Sequence, residues 1–438
     1  MFYRKIEKQL YEYYENKDAK IIIINGARQI GKSFIIRETA MKSFKNYVEI
    51  NLRDDFDGDK LFSEIRNAYD FYLQVSALHG DKLGNIEDTI IFLDEIQVYP
   101  NLITLLKQLK LDNRYRYICS GSLLGITLKH TFIPMGSIDE IKMYPMDFEE
   151  YLIANGVKGD VIEYLRDCFI NYKQVSDGIH KTILQRFREY LICGGLPDAV
   201  KAMVEEQNIY NVRNIQQQIL NYYKDDASQY DIEHSLKIRR IYDLLPSYME
   251  NKVKRITFNK IDDDNSATYF KYQDEFDYLI NSGCALGVHA VSNPKYPLNE
   301  SQSKNLIKLY YNDVGILTNI LYKSNISFIL NNDSGMNLGS VYETVAAMEL
   351  RAHGHDLYYF DSKKVGEVDY LINDYNQLDI LPIEIKSGSG QYSFRALPKL
   401  VDPDGSYKVN KGYLFSNNSV VEKKNNVLYM PIYLIMFM

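Results

Sequence analysis

The stretch that decides the fold of this 438-residue chain is "IIIINGARQIGKSFIIRETA", residues 21–40. It opens with Ile21–Ile24, a continuous apolar run typical of a strand buried on both faces of a sheet. The run leads into Gly26–Ser33, which fits the pattern GxxxxGK[ST], and a helical pattern follows at once. Strand, loop and helix in this order predict a phosphate-binding loop, because backbone N–H groups and the helix dipole converge there on phosphate oxygens.

The loop predicts ATP and Mg²⁺ as cofactors. Lys32 is expected to reach the β- and γ-phosphates and to serve catalysis, and Ser33 is expected to ligate Mg²⁺. The predicted nucleotide-binding residues of this segment are Gly26, Ala27, Arg28, Gln29, Ile30, Gly31, Lys32, Ser33 and Phe34.

A second apolar run, "TIIFLDEIQVYP", ends in Asp94 and Glu95. Alone, a strand that ends in acidic turn residues is common. Downstream of a phosphate loop, Asp94 is expected to hold the Mg²⁺ shell, and Glu95 to orient and polarise the attacking water as a catalytic residue. The next run, "RYRYICSGS", ends in Ser120 and Ser122, and either hydroxyl is a candidate sensor of the γ-phosphate.

Strand and helix patterns alternate through the first third of the chain. Such alternation predicts the α/β class, with a doubly wound parallel sheet whose ligand loops lie at the carboxyl ends of the strands. The predicted strands are residues 20–25, 46–51, 89–94, 115–120 and 138–144, and the predicted helices are residues 33–43, 61–76 and 101–110.

Length, charge and cysteine content restrict the class of protein. A chain of 438 residues is expected to form two to four domains, and a net charge of −7 gives no support for broad, non-specific nucleic-acid binding. The four cysteines are far apart and form no CxxC pair, which suits a reducing cytosol rather than a disulfide frame or a zinc finger. No run reaches the roughly 18 apolar residues of a membrane span. We therefore expect a cytoplasmic protein without a membrane partner.

The last hundred residues carry a second set of candidate site residues. "GSVYETVAAMEL" predicts a helix with Glu343 near its start, and "GEVDYLIN" and "LPIEIKSG" predict strands that carry Asp369, Glu384 and Lys386. Individually these charges suit a helix N-terminus and the wet face of a half-exposed strand. Their order is the layout of the PD-(D/E)xK nuclease fold. In that layout the three carboxylates are metal ligands, and Lys386 positions or deprotonates the attacking water.

Several motifs resemble a prokaryotic AAA-type ATPase family whose members carry a C-terminal domain of unknown function. They are "GARQIGKS", "FLDEIQ", "CSGSLLG", "MYPMDFEEYL", "YLICGGLPDAV", "KLYYNDVGIL" and "GSVYETVAAMEL". The resemblance implies an AAA-type ATPase domain over residues 1–150, a helical and winged-helix-like domain over residues 151–335, and a PD-(D/E)xK nuclease-like domain over residues 336–438. This chain has Gly136–Ser137 where similar proteins have Gly-Arg, so an arginine that stabilises phosphoryl charge is missing there.

The predicted middle domain lacks the charge of a DNA-reading module. The second main helix of a winged helix should be basic, but "FKYQDEFDYLINSG" carries Asp274, Glu275 and Asp277 against Lys271. An acidic helix is repelled by phosphates, which favours packing or protein contact over base recognition. The preceding stretch "KDDASQYDIEHS", residues 224–235, is expected to form a polar loop.

Two functional hypotheses follow. In the first, an ATP-hydrolysing AAA-type protein couples its nucleotide state to a C-terminal domain that cleaves or binds DNA or RNA with Mg²⁺. In the second, the chain is a nucleotide-dependent switch or scaffold whose C-terminal domain binds protein partners without cleavage. The resemblance also suggests a homo-oligomer, although no interface motif is readable in the sequence.

Overall fold

A computed structural model of the chain describes residues 2–16, 18–122, 136–230, 232–250, 256, 258–262, 268–331, 338–388 and 395–438. The chain folds into two units. The first takes in Tyr3–Tyr144 and Asn281–Gly283, and the second takes in Pro145–Ile280 and Cys284–Met438. Among the helices of these described ranges, none is both long and apolar enough to span a bilayer.

The first unit contains a five-stranded sheet. Its strands are β1 (Ile21–Asn25), β2 (Asn46–Asn51), β3 (Thr89–Asp94), β4 (Arg116–Gly121) and β5 (Ile138–Lys142). They lie in the order β2-β3-β4-β1-β5, and every neighbouring pair is parallel. Strands β1 and β3 are buried along their whole length, as their continuous apolar runs predict. The predicted α/β class with a parallel sheet is confirmed.

Within the described residues this unit has five α-helices, and one predicted helix begins at the wrong residue. The prediction over residues 61–76 fails because α4 begins only at Ala68. The side chain of Asn67 accepts the N–H of Asp70 at 3.0 Å and so caps the helix at that point. The helices are α1 (Ile6–Glu15), α2 (Lys32–Ser43), α3 (Leu52–Asp57), α4 (Ala68–His79) and α5 (Pro100–Asp112).

The second unit contains an eight-stranded mixed sheet. Its strands are β6 (Ala285–Val291), β7 (Gln302–Tyr311), β8 (Tyr358–Ser362), β9 (Gly366–Asp374), β10 (Asp379–Ile385), β11 (Gly412–Ser416), β12 (Glu422–Lys424) and β13 (Val427–Pro431). They lie in the order β12-β13-β11-β10-β9-β8-β6-β7. Strands β8, β9 and β10 are successively antiparallel, and β11 pairs with β10 in parallel. The sheet therefore joins strands from residues 285–311 to those of the last hundred residues.

Twelve α-helices of this unit lie within the described ranges. They are α6 (Phe148–Ala154), α7 (Gly159–Ile170), α8 (Asp177–Cys193), α9 (Pro197–Lys201), α10 (Ile209–Tyr230), α11 (Ile232–Glu250), α12 (Asn259–Asp262), α13 (Gln273–Asn281), α14 (Val314–Tyr322), α15 (Ser327–Leu330), α16 (Gly339–Ala352) and α17 (Ala396–Leu400). The winged-helix and nuclease-like parts stay predictions, as does the division into three domains.

The polar loop predicted over residues 224–235 is wrong, because α10 and α11 cover nearly all of it. Its charged residues pair with the neighbouring helix instead of marking a loop. Arg239 of α11 contacts Asp225 of α10 at 2.6 Å, and Lys224 contacts Asp243 at 2.5 Å. These two ion pairs link α10 to α11.

Helix α16 is buried on every side, since all residues from Ser340 to Leu350 are buried. Polar side chains in such a helix need partners, because an unpaired buried polar group is destabilising. Glu349 Oε1 accepts the N–H of Phe148 at 2.8 Å, and Ser340 Oγ donates to Glu250 Oε1 at 2.6 Å. These bonds attach the central helix to α6 and α11.

A buried carboxylate joins the end of α8 to the start of α14. Asp313 accepts the N–H of Gly195 at 2.7 Å and the N–H of Ile316 at 3.1 Å. Its burial raises the pKa of the Asp313 carboxyl to about 6. Next to it, Gly194 has φ 69° and ψ −166°, and a Cβ at this residue would lie 2.2 Å from Asp313 Oδ1.

We expect Gly194→Ala to destabilise the protein by about 3 kcal/mol, because this backbone region is essentially restricted to glycine and the new methyl group would collide with Asp313. Gly156→Ala is the matched control, since Gly156 has φ 79° but no atom within 4 Å of its Cβ position. It should lower the free energy of unfolding by only about 1 kcal/mol. Urea unfolding measures both values, and equal losses would contradict the collision.

Candidate functional site

The predicted phosphate loop connects β1 to α2. Its turn uses left-handed backbone conformations at Gln29 (φ 62°) and Gly31 (φ 91°). At the start of the loop, a Cβ on Gly26 would lie 2.3 Å from the carbonyl oxygen of Met143, so this position requires glycine. The loop is therefore shaped by its own glycines and by the segment that follows β5.

Lys32 is the first residue of α2 and is buried, with 5% of its surface exposed. Its Nζ donates to the carbonyl of Gly26 at 2.9 Å and to that of Ala27 at 2.7 Å. The ammonium group is thus held across the loop. A phosphate bound to the loop would meet this positive charge directly.

The two predicted Mg²⁺ ligands of the first unit lie side by side. Ser33 Oγ donates to Asp94 Oδ1 at 2.9 Å and to Oδ2 at 2.8 Å. Ser120, at the tip of β4, also donates to Asp94. Burial raises the pKa of Asp94 above its ordinary value, and the two hydroxyl hydrogen bonds offset part of that shift. A hydroxyl beside a carboxylate is an oxygen donor set that suits Mg²⁺.

Glu95 follows Asp94 in a left-handed conformation with φ 57°. Its Oε2 accepts hydrogen bonds from Gln97 Nε2 and, at 2.9 Å, from Ser122 Oγ. Burial favours the neutral acid, but the nearby charge of Lys32 and these hydrogen bonds outweigh it and lower the pKa of Glu95. The carboxylate is thus kept ionised, as a group that accepts a proton from water must be.

The remaining predicted loop residues differ in environment. Arg28 is half-buried, and its charge also lowers the pKa of Glu95. Ile30 is fully buried, so its side chain belongs to the core and only its backbone can serve a ligand. Phe34 is 48% exposed on α2 and offers an aromatic face at the surface. The structure therefore places these three residues around the loop in different roles.

Two arginines near the start of β4 have local partners. Arg116 is buried, and its Nη2 donates to the carbonyl of Tyr13 at 2.8 Å at the end of α1. Arg114 lies over the ring of Tyr72 at 4.7 Å. Arg114 precedes the strand and Arg116 begins it, whereas Ser120 lies near its far end. Neither arginine therefore lies at the end of β4 that carries the predicted site.

One edge of the parallel sheet carries the phosphate loop, the pair formed by Ser33 and Asp94, and Glu95. Residues 18–152 match the family model of an AAA domain. Residues 184–327 and 338–435 match the models of two domains of unknown function. A search of curated proteins finds no match to the chain. The assignment of an AAA domain therefore rests on the family model and on the site geometry.

Solved structures provide two further comparisons. A Walker-type ATPase of Pyrococcus abyssi is 15% identical, with a TM-score of 0.40, and the match covers 76% of this chain and 96% of that one. The Hsp104–ADP complex of S. cerevisiae is 12% identical, with a TM-score of 0.29. That match covers 57% of this chain and 36% of the Hsp104 chain.

The second set of candidate residues lies outside the AAA domain, on β9, β10 and α16. The antiparallel register pairs Tyr370 with Ile383, so one residue further along Asp369 lies opposite Glu384. Asp369 Oδ2 accepts the N–H of Ile385 at 2.8 Å. Lys386 Nζ donates to Glu384 Oε1 at 2.5 Å. The structure thus brings together the Asp and the ExK motif that the sequence predicts.

Glu343 enters this group from α16. Its Oε2 accepts the hydroxyl of Tyr310 at 2.9 Å, and its backbone carbonyl accepts the hydroxyl of Tyr370 at 2.7 Å. It is buried in the fifth position of the helix, so its presence is not explained by a preference for helix N-termini.

Burial and the charges of neighbouring carboxylates perturb the pKa values of this group. Burial and the carboxylate of Asp369 raise the pKa of Glu384, and the ammonium of Lys386 offsets only part of that shift. Burial and the charge of Glu343 likewise raise the pKa of Asp369. The second oxygen of Glu384 is buried and has no hydrogen-bond partner among the described residues. A bound cation would relieve both the repulsion and the missing bond.

The number of available ligands limits what cation could bind. Across the part of the chain that the structure describes, no cluster of three or more His, Cys, Asp or Glu side chains could hold a metal ion. Asp369 and Glu384 therefore offer two carboxylates, and water or substrate oxygens would complete the shell of a hard cation such as Mg²⁺.

Sequence reasoning missed two residues of these sites. Gln97 donates a hydrogen bond to the carboxylate of Glu95. The sequence indicates this residue only as a polar side chain two positions after the glutamate. Lys308 of β7 is 1% exposed and forms an ion pair with Glu367. Although burial opposes its charge, Glu367 and the nearby Glu343 raise the pKa of Lys308. A lysine within the apolar run "NLIKLYY" was the signal that could have identified it.

The C-terminal group should make stability depend on pH. Folding raises the pKa of Glu384 above its ordinary value of 4.5, so the folded state binds this proton more tightly than the unfolded state. Its contribution is therefore complete below pH 4.5 and is lost as the pH rises through the folded pKa. When the pH rises from 5 to 8, we expect the free energy of unfolding of the wild type to fall by about 2 kcal/mol more than that of Glu384→Gln. Urea unfolding at each pH measures both values.

Asp379→Asn is the matched control, because Asp379 begins the same strand and bonds the side chain of Asn410 at 2.7 Å instead. The free energy of unfolding of Asp379→Asn should depend on pH as that of the wild type does. A pH dependence in Glu384→Gln equal to that of the wild type would contradict the raised pKa.

Proposed function

We propose that the AAA domain binds ATP with Mg²⁺ and hydrolyses the bond between its β- and γ-phosphates. The observation that carries this proposal is the contact of Ser33 with both oxygens of Asp94, directly beside Lys32 and the phosphate loop. A loop that binds phosphate and an oxygen pair that suits Mg²⁺ are what a nucleoside triphosphate requires of a site.

Each residue then has one task. Backbone N–H groups of the loop and the ammonium of Lys32 would bind the β- and γ-phosphates. Mg²⁺, held by Ser33 and Asp94, would neutralise charge on these phosphates. Glu95 would accept a proton from water while the water oxygen bonds to the γ-phosphorus and the bridging oxygen leaves with ADP. Ser120 and Ser122, which contact the two acidic residues, would respond to the γ-phosphate.

We expect Lys32→Ala to weaken Mg²⁺-ATP binding at least about 100-fold, because the loop loses the buried ammonium that meets the phosphates. Isothermal titration of the full chain measures the dissociation constant. Unchanged affinity would contradict the phosphate-loop assignment.

Two variants complete this experiment. Lys42→Ala removes the same charge from the exposed last turn of α2 and should bind like the wild type. Glu95→Gln should still bind ATP but lose hydrolysis by about 100-fold or more, because the amide cannot accept a proton. Loss of binding in Lys42→Ala would show that charge alone, rather than the loop, determines the affinity.

We propose further that the C-terminal part is PD-(D/E)xK nuclease-like and acts on DNA or RNA. The supporting observation is its topology: helix α16, the antiparallel strands β8, β9 and β10, then α17 and the parallel strand β11. Asp369 opposite Glu384 and the contact of Lys386 with Glu384 give the two carboxylates and the lysine their expected neighbourhood. A metal held there would activate water for attack on a phosphodiester.

A nucleotide-dependent switch or scaffold is the alternative, and specific observations favour it. The described residues contain no cluster of three metal ligands, and Lys386 is already bonded to Glu384. Helix α13, in the predicted winged-helix region, carries Asp274 and Glu275 in its first turn. Under this alternative the C-terminal part binds partners without cleavage.

Cleavage distinguishes the two proposals. If the nuclease proposal is right, the wild type degrades single- or double-stranded DNA or RNA with Mg²⁺ or Mn²⁺, with or without ATP. Asp369→Asn should then lose activity by about 100-fold or more, because the remaining carboxylate cannot hold the metal alone. Gel electrophoresis of labelled substrates measures the products.

Asp374→Asn is the matched control, since Asp374 ends the same strand and accepts the N–H of Asn376 at 3.1 Å in a turn. It should cleave like the wild type. If wild type and Asp369→Asn are equally inert on every substrate, the nuclease proposal is wrong and the switch remains.

A further inference from the structure

Arg4 precedes α1, and its guanidinium reaches the phosphate loop. Its Nη1 donates to the carbonyl of Ile30 at 3.0 Å, and its Nη2 donates to the carbonyl of Tyr144 at 2.7 Å. The residue is buried, with 8% of its surface exposed. Because the guanidinium is a planar fork, two acceptors from different segments hold it in one orientation.

The carbonyl of Ile30 shares a peptide plane with the N–H of Gly31. In a trans peptide these two groups point in opposite directions, so a donor on the carbonyl side keeps the N–H directed to the other side of the loop. A hydrogen bond from a charged donor also polarises the peptide and strengthens its N–H as a donor. That N–H is among the backbone groups that a GxxxxGK[ST] loop offers to phosphate.

Helix α1 keeps Arg4 in place because hydrogen bonds are formed at both of its ends. At the beginning, the N–H of Arg4 donates to Glu7 Oε1 at 2.9 Å. At the end, Arg116 Nη2 donates to the carbonyls of Tyr13 at 2.8 Å and Asn16 at 2.7 Å. Arg4 therefore lies next to a helix that is held at both ends.

The second acceptor of Arg4 belongs to the segment through which the chain leaves β5. Tyr144 is the last residue of Tyr3–Tyr144 in the first unit. Its neighbour Met143 donates its N–H to the carbonyl of Asn25 at 2.8 Å, and the Met143 carbonyl lies against Gly26. One guanidinium thus bonds both the middle of the phosphate loop and the segment packed against its start.

We propose that Arg4 is a positioning residue for ATP binding, which orients the peptide between Ile30 and Gly31 toward the phosphates and couples the loop to the segment at Tyr144. This role rests on the proposed ATP-binding function. The guanidinium donates to the carbonyls of Ile30 and Tyr144, so its effect on nucleotide is exerted through the loop. Its removal should therefore weaken nucleotide binding more than it affects the hydrolysis of bound ATP.

The test is a titration of the full chain with Mg²⁺-ADP, together with the turnover of ATP. We expect Arg4→Met to weaken ADP binding about tenfold or more, while turnover at saturating ATP stays within about twofold of the wild type. Arg4→Lys should bind as weakly as Arg4→Met, because one ammonium cannot occupy the positions of two guanidinium nitrogens. Full recovery in Arg4→Lys would overturn the proposal, since charge alone would then explain the effect.

Arg116→Met is the matched structural control, because it removes a buried arginine of β4 that donates to carbonyls at the other end of the same helix. It should lower the melting temperature at least as much as Arg4→Met does, yet leave the ADP affinity within about twofold of the wild type. Equal losses of affinity in both variants, or none in Arg4→Met, would overturn the proposal. Failure of the wild type itself to bind ADP would instead overturn the proposed ATP-binding function, and this role with it.

Discussion

Folding takes several carboxylates of this chain out of water, and hydrogen-bond donors from elsewhere in the chain have to replace the lost solvent. Asp94 receives the hydroxyls of Ser33 and Ser120, so one carboxylate connects the start of α2 to the ends of β3 and β4. Asp313 receives N–H groups of Gly195 and Ile316 and so joins two helices of the second unit. This requirement determines which strand and helix ends meet, and in the AAA domain the place where they meet is the predicted nucleotide site.

The C-terminal carboxylates meet the same requirement only in part. Glu384 has the ammonium of Lys386 on one oxygen, whereas the other oxygen is buried and finds no hydrogen-bond partner within the part of the chain that the structure describes. Burial raises the pKa of both groups, and the charge of Glu343 adds to this shift at Asp369, as the charge of Asp369 does at Glu384. Functional sites often contain carboxylates with pKa values perturbed in this way. The contrast with the fully bonded Asp94 and Asp313 supports a role in ligand binding at this position.

Local patterns predicted elements well where one residue type dominated. Strands β1 to β5 lie within two residues of their predicted ends. For β1 and β3 the reason is a continuous apolar run, which suits the buried interior of a parallel sheet. The helix over residues 61–76 was misplaced because the cap at Asn67 depends on one side-chain hydrogen bond. The polar stretch 224–235 was misjudged because its charges pair with a neighbouring helix, which a single segment does not reveal.

The sequence by itself determined the phosphate loop, the acidic strand end and the ExK motif, because the residues of each motif are contiguous and their spacing dictates their chemistry. Tertiary structure alone decided which partners complete them. Arg4 reaches a carbonyl 140 residues away, and Lys308 pairs with a glutamate 59 residues away. Such contacts depend on strand order and on how helices dock, and these are set by long-range packing that no local pattern records.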